Sequence, residues 1–169
     1  NFGRERVRVD RDEGRLSRVT GQSLQEKAQY PYVYQTLRLP PGAVFLSKII
    51  INHETGAHLG VNKPTLQVAT PIVTDTGEKI GLVVINIDLN GLFESLQADL
   101  PRDMQLYLTN REGDFLIHPD PALAFGFDRG RRVLVQDMYP PAAQLIKGTQ
   151  DTLLFNVEAK QQQGVRWGE

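Results

Sequence analysis

The sequence predicts a mixed α/β (α+β) fold of two units, each an antiparallel sheet with flanking helices, the second unit being smaller and incomplete. Two β-hairpin patterns, over 66–89 and 104–118, each place a glycine-containing turn between two strand-like segments. A helical pattern follows each hairpin, so the order of elements repeats along the chain. We therefore place the first unit at residues 1–100 and the second at residues 101–169.

Composition narrows the class of protein. The 169 residues are 40% hydrophobic and 23% charged, which is typical of a soluble globular protein with one core or two small ones. With 19 Lys and Arg against 20 Asp and Glu, the net charge of -1 offers no basic field for nucleic acid or for an anionic membrane surface. The absence of Cys excludes thiol nucleophiles, disulfides and Cys-ligated metal sites.

The first predicted element is a hairpin. Val7 and Val9 lie on one face of its first strand and arginines lie on the other, so we expect the first face to be buried and the second to be exposed to solvent. Residues 12–14 supply the turn, and 15–19 form the returning strand.

A helical segment over 22–34 follows, and a proline-rich break at 40–42 precedes a strand over 43–51. Residues 52–64 form a polar loop with two glycines. The chain then enters the strongest local pattern that it contains, a hairpin of 66–73 and 79–89.

The second arm of that hairpin is apolar on both faces, which is typical of a central strand covered on both sides. Its alternating sets are Ile80, Leu82 and Val84 on one face, and Val83, Ile85 and Ile87 on the other.

Leucines and Phe93 at helical spacing over 89–96 predict the next helix, with Asn90 as N-cap and Pro101 as stop. The remaining predictions are a strand at 104–109, a turn at 110–113, a strand at 114–118, a helix at 140–147 and a strand at 152–157.

Catalytic and metal-binding patterns are absent from the sequence. The histidines His53, His58 and His118 have no ligand-like spacing, and neither a Walker loop nor a G-x-S-x-G elbow occurs. The sequence therefore predicts no enzyme, no metal and no cofactor.

One polar residue stands out within the apolar arm. Asn86 lies between two isoleucines, and a buried amide without a partner costs about 1–3 kcal/mol. A small ligand supplies the partner in one interpretation, since aromatic walls with a few polar groups are typical of ligand pockets. In the other, the polar groups satisfy one another or the backbone. The polar and aromatic residues of neighbouring segments are Gln67, Ser47, Thr70, Tyr30, Tyr32 and Tyr34.

Residues 68–89 resemble the central hairpin of Cache domains, the PAS-like extracytoplasmic sensors of bacterial transmembrane receptors, and residues 42–49 resemble the family's preceding strand. Residues 108–121 with 125–128 resemble the start of the second, membrane-proximal module in double Cache sensors of histidine kinases and diguanylate cyclases. Together these matches extend over nearly the whole chain.

The resemblance implies two PAS-like modules, preceded by a long helix and flanked by transmembrane helices that lie outside this sequence. It implies that the distal module binds a small molecule in the periplasm, and that binding changes the geometry of a receptor homodimer. A histidine kinase or diguanylate cyclase output domain is the main expectation. The alternatives are a methyl-accepting chemotaxis receptor and a ligand-free structural or protein-interaction module.

The amino-acid-binding branch of the family carries an Asp on the final strand and a Trp-Tyr pair. This chain has Asn86 at the first position and no such pair before Phe45, so the charge that would hold an α-ammonium group is missing. A carboxylate or an amine remains a candidate ligand. We expect the pocket to be lined by Tyr34, Phe45, Ser47, Gln67, Ala69 and Asn86, with Tyr32 and Lys48 as further candidates, and the second module to transmit rather than bind.

Overall fold

The structure, a computed structural model, describes residues 3–12, 14–52 and 63–157. The strands of these parts are β1 (Arg8–Asp12), β2 (Arg15–Val19), β3 (Phe45–Leu46), β4 (Ile50–Ile51), β5 (Pro64–Val73), β6 (Lys79–Asp88), β7 (Leu108–Thr109) and β8 (Phe115–Ile117). The helices are α1 (Pro31–Thr36), α2 (Asn90–Ala98), α3 (Val135–Met138) and α4 (Ala143–Ile146), with single 3-10 turns at Gly21–Ser23, Pro121–Leu123 and Pro140–Ala142. In these ranges we find no helix with the length and apolarity needed to span a bilayer.

The chain divides into two compact units, Asn1–Leu92 and Phe93–Glu169. The division falls within α2, whereas the sequence predicts it after residue 100.

Strands β5 and β6 form the long hairpin of the first unit, as predicted. They pair antiparallel with Gln67 opposite Asn86 and Val68 opposite Ile85. The reversal requires Gly77, whose φ of 84° is in the left-handed region, and the Thr74 hydroxyl accepts a hydrogen bond from the Glu78 backbone N–H. This ladder fixes which side chains share a face of the sheet.

The predicted continuous strand over 43–51 is wrong. Two short strands, β3 and β4, pair with different parts of β5, and a gap separates them. In the gap the Ser47 hydroxyl accepts a hydrogen bond from the Gln67 backbone N–H and donates one to the Lys48 carbonyl. A side chain therefore replaces part of the regular ladder, which explains the interruption.

One face of the sheet is covered by α1. Burial alternates along β5, with Thr65, Gln67 and Ala69 all buried, and α1 packs on β5 and β3. The helix buries the side chains spaced three and four residues apart along one side, as a short amphipathic helix does.

The opposite face of the sheet is exposed, and here the prediction of a doubly covered central strand is wrong. Val83, Ile85 and Ile87 are all exposed on β6. In the part of the chain that the structure describes, β6 pairs with β5 alone. We call the face that carries these three side chains, with Leu66, Val68 and Leu46 from the neighbouring strands, the outer face.

The predicted N-terminal hairpin is confirmed as β1 and β2, with Gly14 at a φ of 81° in the turn. Its predicted buried face is wrong, because Val7 and Val9 are both exposed. Arg8, expected to be wet, instead has a largely shielded side chain that contacts Glu5 at 3.2 Å and Asp10 at 3.3 Å.

In the second unit the predicted hairpin is confirmed with shorter strands, since only Leu108–Thr109 of the predicted first strand is extended and paired. The Asn110 side chain forms its turn by accepting hydrogen bonds from the Glu112 and Asp114 backbone N–H groups. The predicted strand over 152–157 is not a strand, and the sequence analysis missed α3.

Local contacts and backbone geometry define the start of α2 and the end of α4. Asp88, rather than the predicted Asn90, caps α2, because its carboxylate accepts a hydrogen bond of 2.9 Å from the Asn90 backbone N–H. The predicted helix over 140–147 forms as a 3-10 turn followed by α4, and Gly148 at a φ of 67° ends it as expected.

Candidate functional site

The candidate site is the covered face of the first unit, where α1 lies over β5. Tyr32 and Thr36, one helical turn apart on α1, are both buried, and Gln67 on β5 is 5% exposed. An interface between a helix and a sheet is usually apolar, and this one instead contains several hydrogen-bonding side chains.

The Thr36 hydroxyl is the least satisfied of these groups. Thr36 is 0% exposed, and among the described residues its Oγ1 atom has no hydrogen-bond partner. Burying a hydroxyl in this way costs about 1–3 kcal/mol unless a further group reaches it.

Ser47 and Gln67, two predicted site residues, are connected to each other. The Ser47 backbone N–H donates to the Gln67 carbonyl at 2.9 Å, and the Ser47 Oγ accepts from the Gln67 N–H at the same distance. The Ser47 hydroxyl donates a hydrogen bond to the Lys48 carbonyl. Ser47 therefore stabilises the backbone at the edge of the site.

Asn86 lies directly opposite Gln67 and on the same face of the sheet, as the register requires. The prediction that its amide is buried is wrong, because Asn86 is exposed. The reason is that β6 has one described neighbour, so no further strand shields this part of the face. Asn86 therefore stands at the rim of the site.

Tyr34 and Lys48 do not reach the covered face. Tyr34 is 41% exposed and lies under the Arg38 guanidinium, 5.8 Å from its ring centre, while Lys48 is exposed beyond β3. Strand-like alternation suggested Tyr34, but the segment is helical, and helical spacing instead directs Tyr32, Val33 and Thr36 inward.

Phe45 and Ala69 lie opposite each other on β3 and β5, with Ala69 buried and Phe45 partly buried. They form an apolar end of the site beside the polar groups. Sequence reasoning missed Thr36 and Thr65, which are both buried. The helical period that starts at Tyr32 would have identified Thr36.

Lys27 is a third buried residue that sequence reasoning missed. It is 5% exposed, and its ammonium group lies over the Tyr30 ring, 5.1 Å from the ring centre. The Tyr30 and Tyr32 rings stack at 5.8 Å, which connects this cation to the aromatic side of the candidate site.

The second unit contains a buried charged group of its own. Burial alone would raise the pKa of the Asp114 carboxyl, but hydrogen bonds from Arg132 and Asn110 hold it below its usual value. The described residues contain no cluster of three or more metal-binding side chains, and His53 and His58 lie outside those residues.

A family model described as bacterial histidine kinase, sensor domain, matches residues 1–159. Two solved structures have the same fold at 20% sequence identity. One is a domain of a sensory box/GGDEF family protein from Vibrio parahaemolyticus, with a TM-score of 0.71, 86% of this chain covered and 56% of that chain. The other is the extracellular domain of a histidine kinase, with a TM-score of 0.70 and coverages of 86% and 53%.

The periplasmic sensory domain of a Campylobacter jejuni chemoreceptor is also similar, at 17% identity and a TM-score of 0.54, with coverages of 83% and 48%. The chain thus spans about half the length of the solved structures that it resembles. No curated protein sequence matches it.

Proposed function

The chain belongs to the family of bacterial histidine kinase sensor domains, which are non-catalytic modules, and we propose that it is the extracytoplasmic ligand-sensing part of a membrane receptor. In this proposal a small molecule binds the covered face of the first unit, in the periplasm, and the second unit transmits the change. The output domain is a histidine kinase or a diguanylate cyclase, because domains from both kinds of protein share this fold.

The observation that carries the proposal is the buried polar interface between α1 and β5. Tyr32, Thr36 and Gln67 are all buried there, and the Thr36 hydroxyl has no hydrogen-bond partner among the described residues. A purely structural interface gains stability by using apolar side chains at such positions. A ligand that accepts from, or donates to, the hydroxyl removes the cost of its burial.

A buried cation lies beside the aromatic side of the site, and a carboxylate is the first ligand class to test. Lys27 places a buried cation beside the Tyr30 and Tyr32 stack. Asp88, which shares the face with Thr65, is already paired with Lys63 at 3.5 Å. A ligand amine therefore finds no unpaired described carboxylate on this face, which makes a carboxylate the better candidate than an amine.

Signalling requires that the ligand bind one receptor state more tightly than another. A difference of about 1.4 kcal/mol changes the ratio of the two states tenfold. In our proposal the difference arises as α1 closes on the ligand, and a homodimer of the receptor carries the change toward the membrane.

A thermal-shift screen of small carboxylates and amines, followed by Thr36→Val, tests this proposal. We expect at least one carboxylate to raise the melting temperature of the parent protein. Because Thr36→Val keeps the shape of the side chain and removes the hydroxyl, it should weaken that ligand by about tenfold, the usual value of a buried hydrogen bond. It should leave the stability of the ligand-free protein unchanged or higher.

Thr70→Val is the matched control, because it makes the same substitution on β5, on the face of the sheet opposite to the covered face. Thr70 donates to the Ala43 carbonyl at 2.9 Å, so its loss should lower stability by about 1 kcal/mol and leave ligand binding intact. Equal ligand affinity in the parent and in Thr36→Val would show that the site lies elsewhere. A panel without any stabilising compound would favour the structural or protein-interaction alternative.

A further inference from the structure

We propose that Lys79 is a positioning residue of the candidate site, because it holds the C-terminal turn of α1, and with it Thr36, over the covered face of the sheet. The proposal rests on the proposed function in one respect, namely that this face binds the ligand. The contact that Lys79 makes belongs to the protein alone, so it is tested without any ligand.

An irregularity in the β5–β6 ladder determines which face of the sheet carries Lys79. Ile72 pairs with Gly81, and the next pair is Val73 with Lys79. Ile80 is thus an extra residue on β6, which makes a β-bulge. Strict alternation would place Lys79 with Gly81 on the outer face. Its partner Val73 instead belongs to the alternate residues of β5 that face α1, and opposite residues share a face, so the bulge moves Lys79 to the covered face.

On the covered face, the Lys79 ammonium group reaches the end of α1. Its Nζ donates a hydrogen bond of 2.8 Å to the carbonyl of Leu37, a residue 42 positions earlier in the chain. Leu37 is the C-cap of α1, where backbone carbonyls have no partner within the helix and a lysine can supply one. Asp75 and Glu78 are closer in sequence, but among the described residues Lys79 forms a salt bridge with neither.

The helix that receives this hydrogen bond depends on outside contacts. It has six residues and no side-chain cap at its N-terminus, and isolated helices shorter than about 12 residues are marginal in water. Packing on β5 and β3 buries Tyr32, Val33 and Thr36. Because Thr36 directly precedes Leu37, the hydrogen bond from Lys79 fixes the turn that carries the Thr36 hydroxyl. Its loss should therefore loosen the last turn of α1 first.

The alternative is an incidental contact of a surface lysine, since most lysines in proteins are exposed. Two features of Lys79 speak against it. The residue and its hydrogen bond are partly buried, although Lys79 lies directly after an exposed turn. The bulge also has a defined consequence, because β-bulges are common next to active sites, where they redirect a side chain. Here the redirected side chain contacts the helix that covers the candidate site.

Residue-resolved amide hydrogen exchange on the extracytoplasmic region of the receptor, without ligand, tests the proposal. The Leu37, Arg38 and Leu39 amides donate to carbonyls of α1, so their protection reports on its last turn. Lys79→Met removes the donor and keeps an unbranched apolar side chain. We expect it to lower the protection of these three amides about tenfold, the usual effect of a hydrogen bond from a charged group, and to leave the β5 amides unchanged. Lys79→Arg keeps a cationic donor and should retain most of the protection.

Lys63→Met is the matched control, because it removes the same charge near the other end of the hairpin, where Lys63 pairs with Asp88 at 3.5 Å. It should leave exchange at the end of α1 unchanged. Unaltered exchange of Leu37 in Lys79→Met would overturn the proposal. An equal loss of protection along β5 would also overturn it, since Lys79 would then stabilise the whole unit and not position α1. A ligand screen without any binder would contradict the proposed function and leave this result as it stands.

Discussion

Of the two main hairpins of the molecule, the longer one is the more exposed and the shorter one is the more buried. The β5–β6 hairpin has two strands of ten residues, but Val83, Ile85 and Ile87 are exposed. The β7–β8 hairpin has strands of two and three residues, and every residue of β8 is buried, with Phe115 at 0% exposure.

The difference arises from what surrounds each hairpin. Around β8, the Phe125 backbone N–H donates to the Phe115 carbonyl at 2.8 Å, and the rings of Tyr107 and His118 pack against Phe115 at 5.9 and 4.8 Å. Around β6, the outer face has no such layer in the described parts of the chain. A long ladder fixes register, whereas burial depends on side chains from other elements.

The largest effect should come from removing the centre of the second unit's core. Phe115→Ala should lower the free energy of unfolding by about 3–5 kcal/mol, because it deletes a fully buried ring and leaves a cavity. Val83→Ala on β6 should cost less than about 1 kcal/mol, because that side chain is half exposed. Urea unfolding of both variants measures the comparison.

Leu154→Ala is the control within the same unit, since Leu154 is exposed and its removal should leave the unfolding midpoint unchanged. Equal losses for Phe115→Ala and Val83→Ala would contradict the assignment of a packed core to the second hairpin and an open face to the first.

The second effect is a dependence of stability on pH that originates in the second unit. Burial lowers the pKa of His118 below its usual 6.5, because its ring is packed between Tyr107 and Phe115, while contact with Asp120 opposes the shift. Its Nδ1 lies 2.9 Å from the Asp120 backbone N–H and 3.1 Å from the Asp120 carbonyl oxygen.

Because the folded-state pKa is lowered, the unfolded chain binds the proton first as the pH falls. The contribution of His118 to stability should be constant above about pH 7 and should decrease from pH 6.5 toward the folded-state pKa, with a slope of at most about 1.4 kcal/mol per pH unit. His118→Asn, whose amide oxygen can accept from the same N–H, should flatten this part of the profile. A parent profile that is level from pH 7 to pH 5 would contradict the prediction.

The sequence predicts the hairpins well because their signals are local. Gly14, Gly77, Gly113 and Gly148 all have positive φ angles at turns or helix ends, and each follows or precedes a recognisable strand or helix pattern. The family resemblance is confirmed by the model that matches residues 1–159. The errors occur where tertiary contacts decide, as in the strand over 43–51 that the Ser47 side chain interrupts.

The candidate site was predictable only in part, for a similar reason. Gln67 and Ala69 follow from strand alternation, and both are buried. Tyr34 was selected by alternation although a helix was predicted up to that residue, and the helical period instead buries Tyr32 and Thr36. Asn86 was predicted to be buried because its neighbours in the sequence are apolar. Burial also requires a layer of other residues over the strand, and the sequence of the strand does not specify that layer.

The smallest effect sharpens the comparison of the two hairpins. Ile85→Thr keeps a β-branched side chain, and in residues 1–169 alone it should change the free energy of unfolding by less than about 0.5 kcal/mol, because Ile85 is mostly exposed. In the complete extracytoplasmic region, the same change should cost about 1–2 kcal/mol if the outer face is covered there. Matched urea titrations of the two proteins provide the measurement. Equal and small losses of unfolding free energy in both proteins would mean that the outer face of β6 stays exposed in the receptor. The difference in burial between the two hairpins would then be a property of the receptor itself.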